Sequence, residues 1–358
     1  MSEVQSSPPA PQIEVKRPGL LSQVIPYLIT AAIFVWIFRS INFADVWHIL
    51  RAADLSYFIP AMVAFIVVFF FSDVFSFGQA YRWFNAPMTL KEMMECRGAP
   101  YVIQIGLAPL AETLFPLYLW RKKGIRVSQA LSSNIWTFLN DLAATMTAIS
   151  AAVIYNSFTG LVPVLGPGWL AAVIIFWSFY FANLIFWHSR FRERAANWLA
   201  DGAAADTAAA GKSRTFLQRA GAELLQLLHT FSVAHWHQYL RVYLVRITML
   251  AFNLVSNYAA LRAVGVDPPL PLAAVGIPII MLSIFQPVSV GGYGGPQALA
   301  FLFFYKLVRC GAEEAVIAYS LLWSTCFLLG RAVIGLIFIR GFWRAAFPQG
   351  AVTTKVPA

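Results

Sequence analysis

The stretch Pro-Val-Ser-Val-Gly-Gly-Tyr-Gly-Gly-Pro, residues 287–296, interrupts an apolar run in the C-terminal half of the chain. A second apolar run is interrupted in the N-terminal half by Gly-Leu-Ala-Pro-Leu-Ala-Glu, residues 106–112, which places a carboxylate among hydrophobic residues. Irregular backbone at membrane depth is tolerated only where protein buries it or where it lines a wet cavity. One interrupted segment in each half of a membrane protein is typical of a transporter-like binding site.

The composition indicates a polytopic membrane protein. Hydrophobic residues make up 59% of the 358 residues and charged residues only 12%, whereas a soluble domain is about half apolar and about one quarter charged. The net charge of +10 would favour a nucleic-acid partner in a soluble chain, but here most Lys and Arg lie in short loops between apolar runs. We therefore predict an all-α fold, a transmembrane helical bundle, and no nucleic-acid partner.

The apolar runs have lengths suited to membrane helices. They cover residues 20–38, 57–77, 101–120, 131–155, 169–187, 239–261, 270–290 with 297–307, and 315–339. We predict a single membrane domain, residues 20–345, between a disordered cytoplasmic tail at residues 1–19 and a second cytoplasmic tail at residues 346–358. The first run lacks a small-residue cleavage site, so we interpret it as an uncleaved span.

Positive charges set the predicted orientation, because cytoplasmic loops are enriched in Lys and Arg. The long loop after residue 187 is basic and is therefore predicted to be cytoplasmic. Basic loops also lie on both sides of the run at residues 101–120: Arg82, Lys91 and Arg97 precede it, and residues 121–123 follow it. A full crossing would place these two loops on opposite faces. We therefore predict that this run is re-entrant and returns to the cytoplasmic side.

The same reasoning predicts a second re-entrant segment near the C-terminus. Asp267 and the two prolines after it should be external, whereas Arg340 and Arg344 should be cytoplasmic. Only one full crossing, residues 315–339, then fits between them. Residues 270–307 are expected to form a hairpin that enters from outside, with the glycines at its tip. One re-entrant element from each face suggests an inverted repeat.

Residues 189–237 form a cytoplasmic insertion in the predicted bundle. Residues 203–211 are small and are typical of a linker. Between residues 216 and 231 apolar side chains recur at helical spacing with polar ones opposite, which predicts an amphipathic helix. Such a helix either lies on the inner membrane surface or docks on the bundle of its own protein, and both interpretations stay open.

Four ionisable residues lie within predicted spans: Glu112, Asp141, Arg246 and Arg331. Asp73 is a fifth, closer to an interface. Each charge in a span costs roughly 2.5–3.5 kcal/mol on insertion scales, so each needs a partner or water. Their opposite signs predict carboxylate–guanidinium pairs inside the bundle. Such pairs either fix the register of the helices or line a substrate path, and the sequence leaves both alternatives open.

The glycines at positions 291, 292, 294 and 295 permit turns and close backbone approach that other residues forbid. Exposed N–H groups there, followed by a helix that starts near Gln297, would favour an anionic group such as a lipid phosphate. The alternative is a plain tight turn. No Gly-Lys-Ser/Thr follows, so the stretch is not a nucleotide-binding P-loop.

No catalytic or metal-binding motif is visible in the sequence. Cys96, Cys310 and Cys326 have no metal spacing and are predicted to be free thiols. The five histidines lack a Cys or carboxylate cluster, and no nucleophile motif is present. We therefore predict no enzymatic activity, no cofactor and no metal site.

Three groups of residues resemble the motifs of a known family. They are Arg82-Trp83 after the second span; Glu112, residues 121–124 and Asp141; and Pro287, Ser289, Gly291, Gly292 and Gly294, which match Pro-x-Ser-x-Gly-Gly-x-Gly. The chain thereby resembles, over residues 20–345, the flippase-like integral membrane family related to the transmembrane region of lysylphosphatidylglycerol synthases, the multiple peptide resistance factors.

The chain departs from the pattern of that family at several positions. The family's Gly-Glu pair is Ala111-Glu112 here, its Arg positions fall at Phe115 or Pro116 and at Phe138, and the Glu that closes its second motif is Gln297. Compared with the family, these changes imply a less charged ligand, or none.

The resemblance implies a flippase-like transporter of a lipid or lipid-linked molecule, multi-pass in the bacterial inner membrane with both termini cytoplasmic. Its substrate path would comprise Glu112, Asp141, Pro287, Ser289, Gly291, Gly292, Gly294, Gln297, Arg331 and Arg246. The residues after the last predicted span are too few for the aminoacyl-transferase domain of full synthases, so aminoacylation is not expected. The alternative is a non-catalytic scaffold or accessory subunit of a hopanoid or glycolipid biosynthesis complex, with lipid-biosynthesis enzymes as partners.

Overall fold

The computed structural model describes residues 28, 31–33, 35, 39, 42–104, 108–125, 127–160, 167–188, 227, 230–282 and 293–346. These residues form a helical bundle, and no β-strand occurs among them. The helices are α1 (Phe43–Ala52), α2 (Leu55–Phe84), α3 (Leu90–Gly98), α4 (Pro100–Gln104), α5 (Ala108–Lys123), α6 (Val127–Thr159), α7 (Pro167–His188), α8 (Trp236–Ala263), α9 (Leu270–Leu282), α10 (Gly295–Ala300) and α11 (Glu313–Ala346). A π-helical segment, Phe301–Leu307, follows α10. The predicted all-α fold is confirmed.

Five helices in the described part of the chain are long and apolar enough to cross a membrane. They are Leu55–Phe84, Val127–Thr159, Pro167–Trp187, Trp236–Ala263 and Glu313–Ala345. Large apolar side chains on their outer surfaces are exposed, for example Phe179 at 69% and Ile337 at 66%. Exposed apolar surface of this extent suits contact with lipid chains. The predicted span at residues 20–38 lies almost wholly outside the described residues.

Side-chain caps fix where several helices begin. The Asn42 side chain accepts a hydrogen bond from the backbone N–H of Ala44, and the Asp54 side chain accepts one from Ser56. At the start of α3, the Thr89 hydroxyl accepts from the N–H of Glu92, while the Glu92 carboxylate accepts from the N–H of Thr89. These contacts satisfy amide donors that the first turn of a helix leaves without an intrahelical partner.

The first interrupted segment, α4 with α5, enters and leaves the bundle at the same end. Glu92 of α3 lies just before α4, and its carboxylate is 3.0 Å from the Nζ of Lys123, at the end of α5. Between these two points the chain reaches inward to α11. A Cβ atom built on Gly335 would lie only 2.6 Å from the backbone nitrogen of Val102. We call α4 and α5 the first re-entrant hairpin, as the sequence predicts.

The second interrupted segment enters and leaves at the opposite end. Val266 precedes α9, and its side chain also contacts Gly311, which precedes α11. Inside the bundle, Gly276 of α9 packs against the rings of Phe303 and Phe304 in the π-helical segment. We call α9, α10 and the π-helical segment the second re-entrant hairpin. Residues 283–292, the predicted tip, lie outside the described residues.

The two halves of the bundle have the same order of elements and run in opposite directions. α2 and α8 are antiparallel, because Asp54 N–H donates to the Ala263 carbonyl at one end and Ser72 contacts the Val245 carbonyl further along. The first hairpin packs against α11, and the second packs against α6. Each half therefore consists of a long helix, a re-entrant hairpin and a second long helix, with the hairpin docked on the other half. This is the arrangement of an inverted repeat.

The predicted amphipathic helix at residues 216–231 lies outside the described residues except at its C-terminal end. There, the backbone N–H of Thr230 donates to the Ser132 hydroxyl of α6 at 2.9 Å. Phe231 is buried and lies in a cluster with Trp136 and Trp187. This end of the insertion therefore docks on the bundle of the same chain.

Candidate functional site

A buried cluster of charged side chains lies where α2, α3, α4, α6 and α8 meet, and Asp73 is at its centre. The Asp73 side chain sits among the apolar residues of α2 and is 5% exposed. Its Oδ2 atom accepts hydrogen bonds from the Nε of Arg97 at 2.7 Å and from the hydroxyl of Tyr101 at 2.8 Å. Its Oδ1 atom accepts from the Nη2 of Arg246 at 3.3 Å. Asp73 therefore has donors from three different helices, which compensates the burial of its charge.

Arg246 joins Asp73 to the second buried carboxylate, Asp141. Its Nε atom lies 2.7 Å from Oδ1 of Asp141, and its side chain is 2% exposed. The two atoms are close enough for an ion pair, but the N–H does not point at the oxygen, so they form no well-directed hydrogen bond. One guanidinium is thus shared between two carboxylates on α2 and α6. We call Asp73, Arg97, Tyr101, Asp141 and Arg246 the charged network.

Aromatic rings cover the cations of this network. The guanidinium carbon of Arg97 lies 3.7 Å from the centre of the Phe77 ring and 4.1 Å from that of Phe115. Such cation–π contacts stabilise a guanidinium that has lost water. The family that this chain resembles has an Arg at the position of Phe115 or Pro116. In this chain the position supplies a ring face to Arg97 and adds no further cation.

Arg331 of α11 adjoins the charged network through Tyr101. Its guanidinium carbon lies 4.8 Å from the centre of the Tyr101 ring and 5.3 Å from that of Phe327. Because the Tyr101 hydroxyl donates to Asp73, this tyrosine connects α11 to the network. Three of the predicted interior charges, Asp141, Arg246 and Arg331, therefore lie in one continuous region.

The other predicted site residues are placed differently. Glu112 is on α5, and its side chain lies outside the described residues, as do Pro287, Ser289, Gly291 and Gly292. Their assignment to a substrate path stays a prediction. Phe138, the other position of a missing family arginine, is 40% exposed on α6.

Gln297 and Gly294 lie in the second hairpin, in surroundings that contain no charged side chain from the charged network. Gln297 is fully buried, and its Oε1 accepts the backbone N–H of Gly294 at 2.7 Å. Its Nε2 donates to the Ser324 hydroxyl at 3.0 Å. Gly294 has a φ of 98°, a conformation that glycine adopts readily. The Gly294 amide, which the sequence suggests as a donor to an anionic ligand, thus already donates to the Gln297 side chain.

A smaller ionic cluster holds the entrance of the first hairpin. Lys123 and Lys122 lie 3.0 Å and 3.5 Å from the Glu92 carboxylate, and Lys122 also approaches Glu95. Burial opposes ionisation of Glu92, but the Thr89 N–H and the two ammonium groups outweigh it and lower the pKa of Glu92 to about 2. The cluster therefore joins the first turn of α3 to the last turn of α5, and its Glu92 carboxylate is ionised at neutral pH.

An apolar groove lies at the opposite end of the bundle from this cluster. It has a volume of about 500 Å³ and apolar walls that include Leu254, Ala273 and Ile277. Asp54 and Arg262 lie at its polar rim. None of the charged network lines it, so the groove and the network are separate features.

Sequence reasoning missed Arg97 and Tyr101, which both bond to Asp73. Arg97 was predicted to be a cytoplasmic loop charge, but its side chain is only 13% exposed and is bonded to Asp73. The available signal was the carboxylate itself, because an unpaired Asp73 within an apolar run requires a cation. Among the described residues, no group of His, Cys, Asp and Glu is arranged to hold a metal ion. All three cysteines are free.

Comparison with known proteins identifies the family. Neither the curated proteins nor the solved structures include a significant match to the chain. A family model described as the lysylphosphatidylglycerol synthase TM region matches residues 23–335. This match covers most of the chain, including both re-entrant hairpins, the charged network and all five long apolar helices up to residue 335. The chain is therefore a multi-pass membrane protein that belongs to the lysylphosphatidylglycerol synthase transmembrane-region family.

Proposed function

We propose that this protein is a flippase-like transporter that moves a lipid or lipid-linked molecule across the bacterial inner membrane. The observation that supports it most strongly is the charged network, which lies inside an apolar bundle beside the first of two oppositely directed re-entrant hairpins. Charged groups inside a membrane domain usually mark a path for a polar substrate. Inverted hairpins are the elements by which many transporters open alternately to each face.

The two ends of such a lipid would meet different parts of the molecule. We place its headgroup along Asp141, Arg246 and Arg331, with Glu112 and the Gly291–Gly294 stretch on the same path. The hydrocarbon chains would stay against the outer apolar surface, and the groove between Leu254 and Ile277 offers them a recess next to the second hairpin. This division matches an amphipathic substrate, which has one polar end and one apolar end.

We further propose that transport involves no covalent chemistry on the lipid. No nucleophile–base pair is apparent among the described side chains of the network, where both carboxylates contact Arg246. Lipid-biosynthesis enzymes would act before or after translocation, as partners of this protein.

The test is lipid translocation in proteoliposomes that contain the purified full chain. Fluorescent anionic, zwitterionic and glycosylated lipids are supplied, and their movement between leaflets is followed with an impermeant quencher. We expect the wild-type protein to accelerate the movement of one class, and Asp141→Asn and Glu112→Gln to abolish it. Asp45→Asn, which neutralises an exposed carboxylate of α1, is the matched control and should retain activity.

Two outcomes would contradict the transporter. One is that no lipid class moves faster with folded wild-type protein, even with an imposed ion gradient. The other is that both neutralised variants transport normally. The first result would favour the scaffold or accessory role, and co-purification of lipid-biosynthesis enzymes would then be the next measurement.

A further inference from the structure

The two buried carboxylates of the charged network differ sharply in their donors. Asp73 receives hydrogen bonds from Arg97, Tyr101 and Arg246. Among the described residues the Asp141 side chain has one close polar contact, the Nε of Arg246, and that contact is not a well-directed hydrogen bond. The Asp141 side chain is also more exposed, at 14% against 5% for Asp73. A carboxylate with a single poorly aligned partner loses little when it takes up a proton, whereas Asp73 would lose three donors.

A stripe of buried polar side chains leads from Asp141 toward one end of the bundle. Ser133, Thr137 and Asn140 are spaced at i, i+4 and i+7 on α6, so they share one face, and all three are fully buried. The stripe ends where the Asn85 side chain donates to the Ser133 hydroxyl at 2.7 Å, just after α2 ends. The Thr137 hydroxyl donates to the Ser133 carbonyl and the Asn140 amide donates to the Trp136 carbonyl, both at 2.9 Å, so each donor is satisfied within α6.

Besides Oδ1 of Asp141, two buried oxygen atoms on α2 and α6 have no hydrogen-bond partner among the described residues. They are Oδ1 of Asn140, next to Asp141 in sequence, and Oγ of Ser76, one turn after Asp73 on α2. Both side chains are fully buried. Buried polar groups are nearly always satisfied, either by protein or by ordered water. These two atoms can therefore accept hydrogen bonds from water, one on the residue before Asp141 and one a turn after Asp73.

We propose that Asp141 is a reversible proton-binding site. Protons reach it from the end of the bundle where α2 ends and α6 begins, along the polar stripe Ser133–Thr137–Asn140. A proton from water adds to a carboxylate oxygen of Asp141, and Arg246 keeps its own protons. The attraction between Asp141 and Arg246 is then lost, and the guanidinium is held by Asp73 alone. Proton uptake adds one positive charge to the network and releases Asp141, on α6, from its ion pair with Arg246.

The charged groups that face Asp141 are compatible with this exchange. From α8, Arg246 is in direct contact. From α2, Asp73 shares the Arg246 guanidinium with Asp141, and from α3, Arg97 is paired with Asp73. α9, which also packs against α6, contains no ionisable side chain.

Three further groups belong to α7, α5 and α8. α7 contacts α6 further along, where the Trp177 indole N–H donates to the Ser150 hydroxyl, and its buried Tyr180 lies one turn after Trp177. From α5, Lys122 and Lys123 are paired with Glu92 at the hairpin entrance, and the Glu112 side chain lies outside the described residues. Tyr243 of α8 contacts the Thr147 hydroxyl, further along α6. Arg246 is therefore the one cation in contact with Asp141 among the described residues, and its release is the direct consequence of protonation.

Proton binding does not require lipid movement, whereas its use to drive a lipid rests on the proposed function. The first measurement is therefore infrared difference spectroscopy of the full chain in nanodiscs. The pH is lowered from about 8 to about 5.5, above the range in which exposed carboxyl groups titrate. We expect the wild-type protein to gain the carbonyl stretch of a protonated carboxyl group. Asp141→Asn should lose this band, and Asp45→Asn should keep it.

Two further variants test the path, and a third guards against misfolding. Thr137→Val and Asn140→Leu should slow the appearance of the band after a pH jump without changing its final size. If Asp141→Asn does not fold, Asp141→Glu should keep a band at a shifted frequency. A wild-type spectrum without the band, or a band unchanged in Asp141→Asn, would overturn the proton site.

Lipid assays then separate this inference from the proposed function. A band that depends on Asp141, together with no lipid movement, leaves the proton site in place and overturns the transporter. Lipid movement that is independent of an imposed pH gradient, together with no band, keeps the transporter and overturns the proton site.

Discussion

At the residue scale, Arg246 makes the contacts that hold two buried carboxylates together. Its side chain lies within 3.3 Å of Asp73 and 2.7 Å of Asp141 and is nearly inaccessible. Removing one partner of a buried ion pair leaves an uncompensated charge, which is more damaging than the pair itself is stabilising. The consequence should therefore appear in stability as well as in the proposed transport.

We predict that Arg246→Gln lowers the free energy of unfolding by about 3–5 kcal/mol, because Asp141 and Asp73 lose the cation that they share. Thermal unfolding in detergent measures the change. Arg262→Gln is the matched control: Arg262 pairs with Asp267 at the surface, with 56% and 61% of the two side chains exposed. This control should unfold like the wild type, since exposed pairs contribute little.

A double variant distinguishes charge from packing. Asp141→Asn combined with Arg246→Gln should be less destabilised than the sum of the two single changes, because a neutral amide at position 141 no longer needs a cation. Additive losses would contradict a direct interaction between the two residues.

At the same scale, the sequence identifies which residues are unusual but not which residues are paired. Asp141, Arg246 and Arg331 are recognisable because each is charged within an apolar run. Their partners depend on how α2, α6, α8 and α11 pack, and this information is not local. Arg97 shows the limit most clearly, because a basic residue in a short polar segment has the same sequence pattern whether it faces water or, as here, Asp73.

At the scale of elements, the first re-entrant hairpin depends on a close approach to α11. Gly335 lies against the backbone of Val102, whereas Gly98 and Gly341 lie against the side chains of Phe338 and Glu95. Glycines at these positions let α11 pack against α3 and α4 at short distance. Side chains can rotate away from an added methyl group, but backbone atoms cannot.

We predict that Gly335→Ala destabilises the protein by about 1–3 kcal/mol, the usual range for overpacking a tight interface. The new Cβ would lie 2.6 Å from the Val102 nitrogen. Without that contact, Gly→Ala in a helix normally stabilises by about 0.5–1 kcal/mol. Gly168→Ala on α7 is the control, since its Cβ would meet no atom within 4 Å. Equal melting temperatures for the two variants would show that the hairpin does not pack as closely as described.

The positions of the elements follow well from the sequence, and their interior details do not. The apolar runs locate the long helices, and basic loops on both sides of residues 101–120 identify the first hairpin. The sequence does not indicate that residues 301–307 form a π-helix. The contacts of this segment cross the hairpin, where Gly276 of α9 lies against the rings of Phe303 and Phe304, and such contacts are not local in the sequence.

At the scale of the whole molecule, the two hairpins enter from opposite ends of the bundle. This geometry predicts which loops share a side of the membrane. Lys91 and Arg121 flank the first hairpin, and Asp267 and Ala312 flank the second; all four residues are exposed.

We predict that single cysteines at positions 91 and 121 react with an impermeant maleimide from one side of the membrane, and cysteines at 267 and 312 from the other. The three native cysteines are first replaced by serine or alanine. Labelling of intact spheroplasts and of inverted vesicles gives the comparison. Positive-inside counting further predicts that positions 91 and 121 are cytoplasmic. Labelling of positions 91 and 121 from opposite sides would contradict the re-entrant hairpin.

The exchange of hairpins between the halves also affects how the chain is made. The ribosome synthesises α4 and α5 early, but their packing surface on α11 emerges last. Throughout most of translation the nascent first hairpin therefore has no completed binding surface, and its polar backbone must be shielded by the insertion machinery. A stop codon anywhere before α11 should yield not a half-functional fragment but a chain that quality-control proteases degrade.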